Sequence, residues 1–145
     1  VMDRYGLYFN EKYTVSSDSE LFIKLSYFTR CRYLDDILAK WRFGHGSESE
    51  KSLCLFPVEY ETLLSDLSQM VDGFEDRYAE PVCVLKSKID NMHGVCQWMK
   101  GNRSRARRFF LKAVQRDKRY LVPFFLSFCM PYPAYVKLRK MIKKV

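Results

Sequence analysis

Leu21, Phe22, Leu25 and Phe28 recur at i, i+1, i+4 and i+7 while Lys24 falls off the stripe, which predicts an amphipathic helix. Ser17 followed three residues later by Glu20, just before the apolar run, reads as a capping box, so the helix is expected to start there. Asp18 falls beside the stripe in the first turn, where the backbone dipole favours an ionised carboxylate. First-turn acids also stabilise helices without any further role. Downstream, Asp35-Asp36 separates two short apolar runs, which is ordinary turn chemistry. Between Gly46 and Pro57 the pattern is interrupted by Gly, Ser, Glu and Lys, marking a boundary, and Asp72-Gly73 marks a second break.

Beyond Pro57 the chain reads as helices. Val58, Leu63, Leu64, Leu67 and Met70 form one apolar stripe, and a helix from near Pro81 is expected to bury Val84, Leu85, Ile89, Met92 and Val95. His93 lies within that second pattern and reads as packing. Gly94, Gly101, Ala106, Phe110 and Ala113 resemble one tetratricopeptide-like helix pair, in which small residues let two helices approach and an aromatic fills the gap. A single unit of this kind cannot bury its own face, so it is expected to pack on the preceding helices.

Three segments near the N-terminus stand in a telling order. Tyr5-Gly6-Leu7-Tyr8-Phe9-Asn10-Glu11-Lys12-Tyr13 leads into Ser17-Asp18-Ser19-Glu20-Leu21, and Tyr33-Leu34-Asp35-Asp36-Ile37-Leu38-Ala39-Lys40-Trp41-Arg42-Phe43 follows. The set resembles the later half of a family 2 glycosyltransferase catalytic domain, where G-x-F-D-E-x-Y precedes an (E/S)-D-x-(D/E)-L helix and then Y-x-D-x-x-L-A-x-(Y/F/W)-R. The resemblance covers about the first 50 residues. It implies a GT-A remnant around Gly6 to Ser49 with a short strand pair near Cys31 to Phe43. It makes Asp18 the general base of an inverting transfer, taking the acceptor hydroxyl's proton as that oxygen attacks the sugar. A nucleotide diphosphate leaves, and in the family a divalent metal, Mg or Mn, held by a D-x-D motif offsets its charge. No D-x-D occurs in this chain, nor a Gly-rich phosphate loop, so the donor site is expected to belong to a missing N-terminal half. Arg42, Gly44, His45, Gly46 and Ser47 correspond to the family's loop over the donor diphosphate, with His45 as a metal ligand, although it stands one place later than the family's R-x-H-x-x-S.

The implied fold class is therefore α+β, predominantly α: a catalytic-domain remnant over residues 1–50, then a helical region over 51–145. At 145 residues, with 48% hydrophobic and 16% aromatic residues, the chain can build a core. Five cysteines without C-x-x-C spacing indicate neither a disulfide framework nor a zinc site, which fits a reducing cytoplasm. Its most apolar stretch, ten residues from Leu121 to Met130, is too short to span a bilayer.

Charge divides the chain unevenly. From Gly101 onward 13 Lys and Arg face the single acid Asp117, a balance of +12, whereas residues 1–100 carry 12 basic and 16 acidic residues, a balance of −4. Lys137, Arg139, Lys140, Lys143 and Lys144 interleave with Val136, Leu138, Met141, Ile142 and Val145 as in a basic helix that lies on lipid. Phe124, Phe125, Phe128, Tyr132 and Tyr135 are placed to seat it. The expected partners are a nucleotide-sugar donor, a glycan or glycolipid acceptor and an anionic membrane face, which puts the protein at the inner surface of the plasma membrane. The alternative is a basic helical binding module without catalysis, for membrane, protein or nucleic acid. Nucleic acid ranks lowest, because the aromatics cluster instead of alternating with the cations as stacking platforms.

Overall fold

A computed structural model of the protein describes residues 2–39 and 52–142, with the backbone alone for 139, 140 and 142. The described residues form α1 (Met2–Tyr5), α2 (Ser17–Phe28), α3 (Phe56–Met70), α4 (Phe74–Arg77), α5 (Ala79–Met99), α6 (Arg103–Arg116), a 3-10 turn (Lys118–Tyr120), α7 (Leu121–Cys129) and α8 (Tyr132–Ile142). No strand occurs among them. The expected α+β class, the strand pair and the GT-A remnant are thereby corrected to a helical chain. Residues 31–39 carry no regular structure, and Tyr33 and Ile37 there are 84% and 92% exposed. A strand needs a partner for its backbone groups and a buried face for its side chains, and even a formed two-stranded pair is marginal in water. This segment has no buried apolar face.

By its contacts the chain forms two units that divide within α3, one up to Glu59 and one from Tyr60 onward. In the first, the apolar stripe of α2 is only partly used. Leu21 is buried, but Phe22 is 65% exposed and Phe28 stacks on Tyr5 with ring centroids 5.1 Å apart. The capping box does not form either. Ser16 is the N-cap, makes no side-chain cap hydrogen bond, and accepts the Glu20 N–H on its carbonyl. Glu20 instead turns inward, is buried, and pairs with Lys24 one turn on.

The second unit is built around the antiparallel pair α5 and α6. Gly94 lies against the Phe110 ring so closely that a Cβ on it would sit 2.6 Å from two ring carbons. Ala106, Phe110 and Ala113 on α6 are fully buried against this approach. The helix pair expected from the small and aromatic residues is thus present. Gly101 has a different job from the packing one expected of it. At φ +79 it is the left-handed residue that ends α5 in a Schellman motif, with Gly101 N–H to Trp98 C=O at 3.0 Å and Asn102 N–H to Gln97 C=O at 2.9 Å. Gly73, φ +64, does the equivalent turning between α3 and α4 at the expected Asp72-Gly73 break.

Two apolar clusters flank the pair. Leu64, Val82 and Ile89 gather Tyr60, Phe74, Tyr78 and Leu85. Val82 takes the buried place that the sequence pattern assigned to Val84, which is exposed. At the other end Trp98, edge-on to Phe110, is enclosed by Phe124 and Leu126 of α7, Met130 just after it, and Tyr132 and Tyr135 of α8. Cys31, Cys83 and Cys129 are free and exposed, whereas Cys54 and Cys96 are disulfide-bonded. The expectation of no disulfide is corrected, and with it goes the argument for a reducing compartment.

The Gly94 contact generates a test. Gly94→Ala improves helix propensity by about 1 kcal/mol, yet its methyl meets a fully buried ring that has no room to retreat. Overpacking of this kind costs about 1–3 kcal/mol, so the variant is expected to unfold at lower urea than the parent in a circular-dichroism titration. Gly94→Ala with Phe110→Leu should recover part of the loss relative to Phe110→Leu alone; an unchanged or raised midpoint in the single variant rejects the contact.

Candidate functional site

Asp18 is an exposed carboxylate in the first turn of α2, and its Oδ1 accepts the Ser19 N–H at 2.6 Å. The backbone that delivers it is fixed from far along the chain. Glu59, in the first turn of α3 and buried, places its carboxylate against residues 14–16: Thr14 N–H donates to Oε1 at 2.7 Å, Val15 N–H to both oxygens at 3.2 and 3.1 Å, and Ser16 N–H to Oε2 at 2.9 Å. The Ser16 hydroxyl adds a fifth bond, 2.6 Å to Oε2. Three successive N–H groups on one carboxylate leave the chain a single way to enter α2. Asp18 inherits its position from that clamp, two residues later.

Burial alone would push the Glu59 carboxyl up. The hydrogen bonds from the Ser16 hydroxyl and the three backbone N–H groups outweigh that, and hold it below the usual glutamate range. Nothing in the sequence distinguishes Glu59 from any other first-turn acid, because its partners lie more than forty residues away. Glu59 is for that reason not legible in the sequence.

Arg42, Gly44, His45, Gly46 and Ser47, the expected donor loop, lie outside the described residues, as do Lys143 and Lys144. Lys137 is exposed on α8, and Arg139 and Lys140 lie on the same helix by backbone. Asp35 and Asp36 are exposed in the irregular segment. Among the described residues no three or more His, Cys, Asp or Glu come together as a group that could hold a metal ion, and His45, the ligand expected from the resemblance, lies outside them. His93 does more than pack: its Nε2 lies 3.1 Å from Glu61 Oε1 and its ring stacks on Phe109.

Elsewhere in the second unit, a groove of about 380 Å³ is lined by Glu61, Ser65, Glu75, Lys86, Asp90 and Arg116 among others. Its charges are already matched, Lys86 with Glu75 at 2.8 Å and Arg116 with Asp90. That leaves little unmet charge to recruit a ligand. The opposite holds on α6, where Arg105, Arg108 and Lys112 are exposed on the side away from buried Ala106 and Phe110.

Comparison with family models, with curated proteins and with solved structures gives no match for the chain. The likeness to family 2 glycosyltransferases rests on the segments Tyr5 to Tyr13, Ser17 to Leu21 and Tyr33 to Phe43.

The clamp has a measurable acid dependence. Because the folded carboxyl titrates below its unfolded value, the stability it contributes is fully present above the ordinary glutamate pKa, about 4.3, and is lost as pH falls through the lower folded value. Glu59→Gln places an amide NH₂ among donors and should cost about 1–3 kcal/mol at neutral pH. Protection factors of the amides at residues 14–16 should then be low and flat with pH, where the parent is protected until acid; an identical acid limb of protection in both proteins rejects the clamp.

Proposed function

We propose that this chain carries the acceptor side of a nucleotide-sugar-dependent glycosyltransferase, with Asp18 as its general base. The observation that carries the reading is Asp18 itself. It is an exposed carboxylate at the start of a helix whose entry is locked by a buried acid, in the sequence order Gly6 to Glu11, Ser17 to Leu21, Tyr33 to Arg42. A base must be accessible to the acceptor and held in one place. Exposure and the Glu59 clamp meet those needs in turn.

In the proposed reaction the acceptor hydroxyl gives its proton to Asp18 as its oxygen forms a bond to the anomeric carbon. The bond from that carbon to the nucleotide diphosphate breaks, and the diphosphate leaves with the electron pair. Attack from the face opposite the leaving group inverts the centre. Donor-binding groups must come from residues other than those described, and Arg42 and Ser47 are the candidates this sequence offers. The acceptor is a glycan or glycolipid hydroxyl.

A second reading, a helical binding module without catalysis, draws on the exposed cations Arg105, Arg108 and Lys112 of α6. One experiment separates the two. In the whole protein, Asp18→Asn is expected to lower sugar transfer by on the order of 10²–10⁴, the usual worth of a general base, while nucleotide-sugar binding followed by calorimetry stays unchanged. Retained turnover rejects Asp18, and absence of any nucleotide-sugar binding by the parent protein favours the non-catalytic module.

A further inference from the structure

The helix α7 is apolar all round, yet half of it faces water. Its nine residues, Leu-Val-Pro-Phe-Phe-Leu-Ser-Phe-Cys, contain no charge. At about 100° per residue, Leu121, Val122, Phe125, Phe128 and Cys129 fall within one arc of about 120°, and all five are exposed. Pro123, Phe124, Leu126 and Ser127 fill the remaining arc, and all four are buried or half-buried. Phe124 and Leu126 pack at the Trp98 cluster. The division is clean. A helix without a polar face is ordinarily covered on every side, and here Val122 and Phe125 are 63% and 59% exposed.

The rim of this face is cationic. The Arg107 guanidinium sits over the Phe128 ring, 4.1 Å from its centroid, with Nη2 3.4 Å from the Ser127 carbonyl. Exposed Arg108 follows Arg107 on α6, and exposed Lys118 lies three residues before α7. Arg119 is matched by Asp117, which accepts its Nε–H at 2.8 and 3.0 Å; Asp117 is the only acid from Gly101 onward. An apolar arc bordered by cations that no acid matches among the described residues complements a surface that is apolar beneath and anionic above. Nine residues of helix extend about 14 Å, less than half a bilayer core of about 30 Å, and no described helix is long and apolar enough to cross a membrane.

We propose that the exposed face of α7 docks on an anionic lipid bilayer, with Val122, Phe125 and Phe128 entering the headgroup boundary and Arg107, Arg108 and Lys118 facing lipid phosphates. This relocates the membrane contact expected for the C-terminal tail. Phe124, Tyr132 and Tyr135 are withdrawn into the Trp98 cluster, so of the five aromatics first assigned to lipid only Phe125 and Phe128 are available. The proposal does not rest on the transferase reading.

Co-flotation of the full chain tests it, using vesicles of phosphatidylcholine alone and of phosphatidylcholine mixed with phosphatidylglycerol. The protein is expected to float with the mixed vesicles and not the neutral ones. Val122→Ser with Phe125→Ser, both exposed and therefore harmless to helix content by circular dichroism, should weaken that binding on the order of tenfold or more; Lys118→Gln should weaken it less and make what remains less salt-sensitive. Absence of flotation with anionic vesicles overturns the proposal, as does binding that survives the double variant. A dimer in light scattering that the double variant dissolves, or binding to an oligonucleotide by a protein that ignores vesicles, overturns it too.

Discussion

Phe110 can lie against α5 only because position 94 has no side chain, and the second unit is arranged around that approach. With the two helices so close, the buried Ser87 hydroxyl reaches the Ala113 carbonyl across the pair at 3.0 Å. Asp90 meets Arg116 at the same end. Toward the other end the ring of Phe110 meets the edge of Trp98, and Trp98 in turn is covered by Tyr132 and by Tyr135, 5.6 and 5.0 Å away. The Schellman turn at Gly101 reverses the chain within three residues, which sets Ala106 and Phe110 opposite α5 in the first place. A packed interior transmits changes of a methyl group, so widening this one contact would loosen the seat of α7 and α8 as well.

That arrangement was legible in the sequence where it is local and periodic. Gly94, Ala106, Phe110 and Ala113 mark a close helix pair because helical spacing puts small residues on one face wherever two backbones approach. Three features were not legible. The Glu59 clamp joins groups 43 to 45 positions apart, and no periodicity reports a polar contact at that range. The faces of α7 could not be told apart, since Phe124 and Phe125 are neighbours of one chemistry with opposite fates. The strand pair failed for a further reason: motifs preserve order and spacing, whereas a strand exists only beside another strand. Tyr33, Leu34, Ile37 and Leu38 are all exposed in a segment whose pattern nonetheless has the expected residues.

The acids of the first unit show how environment divides labour among like groups. Glu59 accepts from four donors on two oxygens, which stabilises its ionised form and engages the lone pairs a base would use. Glu20 is buried, with one oxygen on Lys24 and the other without a partner among the described residues, so it is closed to any acceptor. Asp18 differs from both in facing solvent. Its accessibility and the rigidity of its backbone come from different residues, since Glu59 supplies the fixing from across the unit while contributing no charge to Asp18's own surroundings by direct contact. Positioning and chemistry are therefore separable here. Removal of Glu59 loosens where Asp18 stands, whereas removal of the Asp18 carboxylate leaves residues 14–16 held as they are, so the proposed base can be tested without dismantling the turn that presents it.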